Sequence, residues 1–132
     1  MTHSKKKILV IDDVEDWRIT LAGLLADEGY QATTVADREA ALNAIKTEKF
    51  DLAIVDIRLD ESDETNTAGL KLAGELKSLQ KGLYVVMITG YETPETIDRA
   101  IKPDEHGQTL ADDFVRKTDA DELVAIVNDI LG

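Results

Sequence analysis

The sequence predicts a doubly wound α/β fold, in which helices cover both faces of a five-stranded parallel sheet. Strand-like and helix-like segments alternate along the chain, and such alternation is typical of parallel strands joined by right-handed helical crossovers. In addition, residues 50–56 form a nearly continuous apolar run that ends on Asp56, as expected for a strand buried on both faces. The length of 132 residues suits a single domain, so we expect one domain over residues 1–132.

Five segments have the apolar content and length of strands. They cover residues 6–11, 30–35, 50–56, 84–89 and 112–116. The second of them contains several polar side chains, which is typical of an edge strand and predicts that it lies at the edge of the sheet.

Apolar residues at helical spacing predict the intervening helices. The first is expected to end before Gly29, the second to be capped by Asp37, and the third to cover about residues 67–80. A short helix is expected at 94–101 and a last one from about residue 119. The inward face of the third helix is predicted to consist of Leu70, Ala73, Leu76 and Leu79.

Composition excludes several classes of function. The net charge of −12 opposes nucleic-acid binding, which depends on clustered lysine and arginine. No apolar run approaches the ~20 residues needed to cross a bilayer. The absence of cysteine excludes a disulfide framework, a thiolate nucleophile and cysteine-bound zinc. We therefore expect a cytoplasmic protein that contacts neither nucleic acid nor membrane.

Polar side chains follow four of the predicted strands at the point where each ends. Asp12 and Asp13 follow the first strand, Asp56 closes the third, Thr89 closes the fourth and Lys117 follows the fifth. The carboxyl ends of parallel strands meet at one edge of the sheet, where ligands of open α/β folds bind. Three carboxylates, a hydroxyl and an ammonium are therefore expected in one cleft.

This combination indicates phosphoryl chemistry. Clustered carboxylates form an oxygen-rich site that suits Mg²⁺, which often takes a phosphate oxygen as a further ligand. An aspartate can accept a phosphoryl group as an acyl phosphate, while a metal ion, a lysine and a hydroxyl stabilise the phosphoryl oxygens. Asp12 or Asp13, Asp56, Thr89 and Lys117 supply these groups.

The chain resembles the receiver domains of response regulators over nearly its whole length, from Lys6 to Leu131. The matching pieces are Asp12-Asp13 after the first strand, Asp56 at the end of the third, Thr89-Gly90 at the end of the fourth, and Phe114-Val115-Arg116-Lys117 at the end of the fifth. The resemblance implies a flavodoxin-like sheet with the strand order 2-1-3-4-5.

The resemblance also implies how the site works. Asp56 is expected to receive a phosphoryl group from a histidine kinase or a phosphotransfer protein. Mg²⁺ is expected to be bound by Asp13 directly, by Asp12 through water, by Asp56, and by the backbone carbonyl of Arg58.

The remaining family positions have implied roles in signalling. Lys117 is expected to bind the phosphoryl group, and Thr89 and Phe114 to form the switch pair. The expected activity is limited to self-catalysed phosphoryl transfer and slow autodephosphorylation, so the protein is not expected to be an enzyme. The implied partners are a downstream protein or an output domain outside this chain, and a second copy in a phosphorylation-dependent homodimer.

Two features depart from the family pattern. The family lysine is usually followed by a cis proline, whereas Lys117 is followed by Thr118. The segments 58–69 and 102–111 are longer than usual and are expected to influence the choice of partner.

Two other function classes share this architecture. An aspartyl-nucleophile phosphatase or phosphotransferase usually has a second aspartate two residues after the nucleophile, where this chain has Arg58. A flavin- or nucleotide-binding domain usually has a glycine-rich phosphate loop, and neither G-x-G-x-x-G nor G-x-x-x-x-G-K-[ST] occurs.

Overall fold

A computed structural model describes residues 6–56, 68–89, 112–116 and 120–132. Its strands are β1 (Lys7–Ile11), β2 (Gln31–Val35), β3 (Leu52–Asp56), β4 (Tyr84–Thr89) and β5 (Asp113–Arg116). All neighbouring strands pair in parallel, in the order β2-β1-β3-β4-β5. This sheet confirms the predicted fold, including the position of the polar second strand at an edge.

The described helices are α1 (Glu15–Asp27), α2 (Arg38–Thr47), α3 (Ala68–Leu79) and the C-terminal helix (Ala120–Leu131). The carboxylate of Asp37 accepts a hydrogen bond of 2.8 Å from the backbone N–H of Ala40, which confirms the predicted cap. Gly29 has a φ of 91° in the turn after α1, a conformation that glycine adopts without steric cost. None of these helices is long and apolar enough to cross a membrane.

Part of the sequence-based prediction concerns residues outside the described ones. The predicted short helix at 94–101 lies there, as do residues 58–67 and 102–111 of the longer segments.

The core consists of two hydrophobic clusters, one on each face of the sheet. Side chains alternate along a strand, so neighbouring residues of β1, β3 and β4 enter opposite clusters. On one face, Leu9, Ala53 and Met87 pack with residues of α2 and α3. On the other face, Val10 and Ile54 pack with residues of α1 and the C-terminal helix. Burial on both faces explains why β3 is apolar throughout until it ends on Asp56.

The inward face of α3 differs from the prediction at two positions. Leu72 was not predicted to face inward, yet it is fully buried. Leu70, Ala73 and Leu76 are buried as expected, whereas the prediction for Leu79 was wrong, because this side chain is 50% exposed.

A spacing of three residues drifts by about 60° per step around an α-helix, which brings Leu79 to about 180° from Leu70. The next residue is Gln80. Its side-chain amide accepts a hydrogen bond of 3.2 Å from the N–H of Phe50 and donates one to the carbonyl of the same residue. Gln80 thus connects the end of α3 to the residues before β3, and Leu79 lies beside the groove between α2 and α3.

Strand register places the acidic residues next to one another. Ile11 pairs with Val55, so the residues that follow, Asp12 and Asp56, lie side by side at the carboxyl edge of the sheet. Asp56 in turn pairs with Ile88 of β4. The chemical groups predicted at the strand ends therefore share one edge.

Candidate functional site

Three carboxylates converge at the carboxyl edge of the sheet. Asp12, Asp13 and Asp56 each offer one oxygen atom, and these atoms all lie within 4.8 Å of one another. Asp12 is fully buried and Asp56 is 3% exposed, while Asp13 is half-buried. The site is therefore a cluster of like charges that is largely shielded from water.

The turn between β1 and α1 is held by hydrogen bonds that converge on Asp12. Its backbone N–H donates to the carbonyl of Val35 at 3.2 Å, and its Oδ1 accepts from the N–H of Val14 at 2.9 Å. Its carbonyl accepts from Nη1 of Arg18 at 2.7 Å. Asp12 thus has a structural role in addition to its place in the acidic cluster, and the turn that carries Asp13 is restrained.

Sequence reasoning gave no role to Arg18. The sequence signal for such a role is weak, because an arginine on an amphipathic helix is usually a solvated side chain. Among the residues that the structure describes, the hydrogen bond to the carbonyl of Asp12 connects it to the site.

The backbone of β4 and that of β5 end at the same edge of the sheet as β3. Thr89 is the last residue of β4 and pairs with Arg116, the last residue of β5. Phe114 pairs with Met87, is partly exposed, and packs against the cluster on the α2–α3 face.

The predicted site residues are thus only partly placed. The three aspartates lie together, and Thr89 ends the strand that pairs with β3 at the same edge of the sheet. Phe114 lies in the adjacent edge strand. Arg58 and Lys117 lie outside the described residues.

The donor set fits Mg²⁺. It consists of carboxylate oxygens, the ligands that hard cations prefer, and the cluster contains no softer nitrogen or sulfur ligand among the described residues. A divalent cation would also offset the repulsion among three carboxylates held within 4.8 Å.

Comparison with known proteins identifies the family. Residues 8–128 match the family model of the response regulator receiver domain. The chain belongs to this family. Receiver domains act in two-component signal transduction, so the sequence-based prediction of function is confirmed at this level, and the phosphatase alternative is not favoured. Domains of this family typically use Mg²⁺ at an acidic pocket, which agrees with the donor set.

Two curated relatives place the receiver domain in longer proteins. The nitrogen assimilation regulatory protein NtrX of Azorhizobium caulinodans is 38% identical over 120 residues, which cover 90% of this chain and 24% of NtrX. The transcriptional regulatory protein ZraR of Escherichia coli is 30% identical over 132 residues, which cover all of this chain and 28% of ZraR. The chain thus spans about a quarter of the length of these relatives.

Solved structures of receiver domains share the fold. A CheY-like receiver domain protein from Methanospirillum hungatei superimposes with a TM-score of 0.78 at 26% identity, covering 96% of this chain and 93% of that one. The response regulator TrrA of Thermotoga maritima, solved in complex with Mg²⁺ and BeF, gives a TM-score of 0.74 at 29% identity, covering 96% of this chain and 99% of that one.

Proposed function

We propose that this receiver domain accepts a phosphoryl group on the carboxylate of Asp56. The donor is the phosphohistidine of a histidine kinase or a phosphotransfer protein. An oxygen of Asp56 forms a bond to phosphorus, the phosphorus–nitrogen bond of the phosphohistidine breaks, and the imidazole nitrogen takes up a proton. The product is an acyl phosphate, which stores the signal until water hydrolyses it slowly.

The position of Asp56 carries this proposal. It is the buried last residue of the central strand β3, and its carboxylate lies within 4.8 Å of those of Asp12 and Asp13. An aspartate in this position is shielded from bulk water yet lies at the edge of the sheet where ligands of open α/β folds bind. The other two carboxylates lie where they could hold a cation beside it.

We assign the neighbouring groups as follows. Asp13 would ligate Mg²⁺ directly, Asp12 would do so through water, and Asp56 and the carbonyl of Arg58 would complete the protein ligands. When bound, Mg²⁺ neutralises charge on the phosphoryl oxygens. The ammonium of Lys117 also pairs with a phosphoryl oxygen.

The response to phosphorylation involves Thr89 and Phe114. The hydroxyl of Thr89 donates a hydrogen bond to the phosphoryl group, and Phe114 moves into the space that Thr89 leaves. Phe114 is suited to this role because its ring is partly exposed on an edge strand. Its movement favours one of two conformations of a surface that includes β5 and the C-terminal helix.

This surface is proposed to contact the downstream partner. The partner is another protein, an output domain outside this chain, or a second copy that binds after phosphorylation. An output domain is consistent with relatives of which this chain spans about a quarter.

Stoichiometry of phosphoryl transfer tests the proposal. Incubation with phosphoramidate and Mg²⁺ is expected to add one phosphoryl group per chain, measured by intact-protein mass spectrometry. A chelator should prevent the addition, because the carboxylates repel the incoming phosphoryl oxygens when no cation is bound.

The same experiment distinguishes a phosphatase. Continued release of phosphate over many turnovers, without a stable increase in mass, would favour the enzyme. Equal incorporation with and without chelator would contradict the proposed role of the acidic cluster.

A further inference from the structure

One guanidinium lies beside the acidic cluster without a part in the proposed chemistry. Nη1 of Arg18 donates a hydrogen bond of 2.7 Å to the backbone carbonyl of Asp12. The side chain of Arg18 is half-buried, and its backbone N–H donates to the carbonyl of Val14 at 3.1 Å. Arg18 therefore starts from a fixed point on α1 and reaches back over the turn that precedes this helix.

We propose that Arg18 is a positioning residue that orients the Asp13 carboxylate for Mg²⁺. It acts by holding the peptide plane between Asp12 and Asp13. This inference rests on the proposed function, because it takes Asp13 to be a metal ligand.

The planarity of the peptide bond gives the mechanism. The carbonyl of Asp12 and the N–H of Asp13 belong to one rigid plane, so a restraint on the carbonyl also fixes the direction in which the Asp13 backbone continues. The bond from the Asp12 N–H to Val35 lies before the rotatable Cα–C bond of Asp12 and does not fix this plane. The bond from the Val14 N–H to Oδ1 of Asp12 spans the plane without contacting its atoms. The bond from Arg18 acts on the plane directly.

Helix α1 is a rigid base for this contact. Leu21 and Leu25 of α1 are each 1% exposed and pack in the hydrophobic cluster on that face of the sheet. A side chain that starts from a packed helix can hold its partner more closely than one that starts from a loop. The position of Asp13 is thereby coupled to the core of the domain.

The charge of Arg18 makes it possible to distinguish a positioning role from a purely electrostatic one. A guanidinium and Mg²⁺ have charges of the same sign, so if Arg18 acted only through its charge, its removal would strengthen Mg²⁺ binding. If Arg18 positions Asp13, its removal weakens binding. The two explanations predict changes of opposite sign.

The experiment measures Mg²⁺ affinity by isothermal titration calorimetry. Arg18→Ala is expected to weaken binding about 10-fold, the lower end of the range for groups that orient metal ligands. Arg18→Lys retains a donor and the charge and is expected to recover most of the affinity. Arg38→Ala is the matched control, because Arg38 is paired with Glu75 on the opposite face of the sheet, and it should leave Mg²⁺ affinity unchanged.

A second readout needs no metal. In Mg²⁺-free protein, Arg18→Ala is expected to shift the backbone amide resonance of Asp13 and to speed its hydrogen exchange, while the amide of Ala40 at the start of α2 stays unchanged. A general loss of stability would instead speed the hydrogen exchange of both amides.

Asp13→Asn separates the inference from the function on which it rests. If Asp13→Asn weakens Mg²⁺ binding but Arg18→Ala leaves it equal or tighter, the positioning role is overturned and the proposed function stands. If Asp13→Asn leaves Mg²⁺ affinity unchanged, the metal site itself is wrongly assigned and both fail.

Discussion

Asp56→Asn is expected to abolish stable phosphoryl incorporation from phosphoramidate in the presence of Mg²⁺. The amide has nearly the same shape as the carboxylate but lacks the anionic oxygen that forms the bond to phosphorus. Intact-protein mass spectrometry of wild type and variant, in parallel time courses, measures the effect. The fold should survive, since the substitution removes one of three mutually repelling charges.

Asp27→Asn is the control for this experiment. Asp27 is an exposed carboxylate at the end of α1, so its loss should leave the rate and extent of incorporation unchanged. Undiminished incorporation in Asp56→Asn would show that another residue is the acceptor.

Asp13→Asn is expected to stabilise the metal-free protein and to weaken its response to Mg²⁺. Three carboxylates lie within 4.8 Å of one another, and removing one charge relieves repulsion on the order of 1–3 kcal/mol in a partly shielded site. Mg²⁺ binding raises the free energy of unfolding in proportion to the logarithm of its concentration over the dissociation constant. A 10- to 100-fold weaker site would therefore lose about 1.4–2.7 kcal/mol of that gain at saturating Mg²⁺.

Urea denaturation with and without Mg²⁺ measures both effects. Asp16→Asn is the matched control: Asp16 is an exposed carboxylate in the first turn of α1, where a negative charge is favourable. Its loss should destabilise the protein slightly, by about 0.3–1 kcal/mol, whether Mg²⁺ is present or not. A metal-free Asp13→Asn variant that is less stable than wild type would contradict the repulsion argument.

The sheet could be predicted from the sequence because its signals are local. β3 is apolar at every position until Asp56, which is the pattern of a strand covered on both faces, and β2 carries the polar residues of an edge. Parallel pairing then places the strand ends together, so the meeting of Asp12 with Asp56 followed from topology. Predicting this contact required no knowledge of side-chain conformation.

Side-chain hydrogen bonds other than the helix cap at Asp37 were not predictable in this way. The side-chain amide of Gln80 bonds the backbone of Phe50, and residue spacing gave no indication of this contact. Arg18 was missed for the same reason, since a side chain that bonds a backbone carbonyl leaves no periodic pattern. Such contacts depend on where the side chains lie in the folded structure, and residue type alone does not reveal them.

Chemical identification of the phosphorylated residue tests the central claim most directly. Borohydride reduces an aspartyl phosphate to homoserine, so the acceptor is marked permanently before digestion and peptide mass spectrometry. After treatment with phosphoramidate and Mg²⁺, the expected result is homoserine at position 56 alone, with Asp12 and Asp13 unmodified. Homoserine at either of those positions, or at any other aspartate in place of Asp56, would contradict the account.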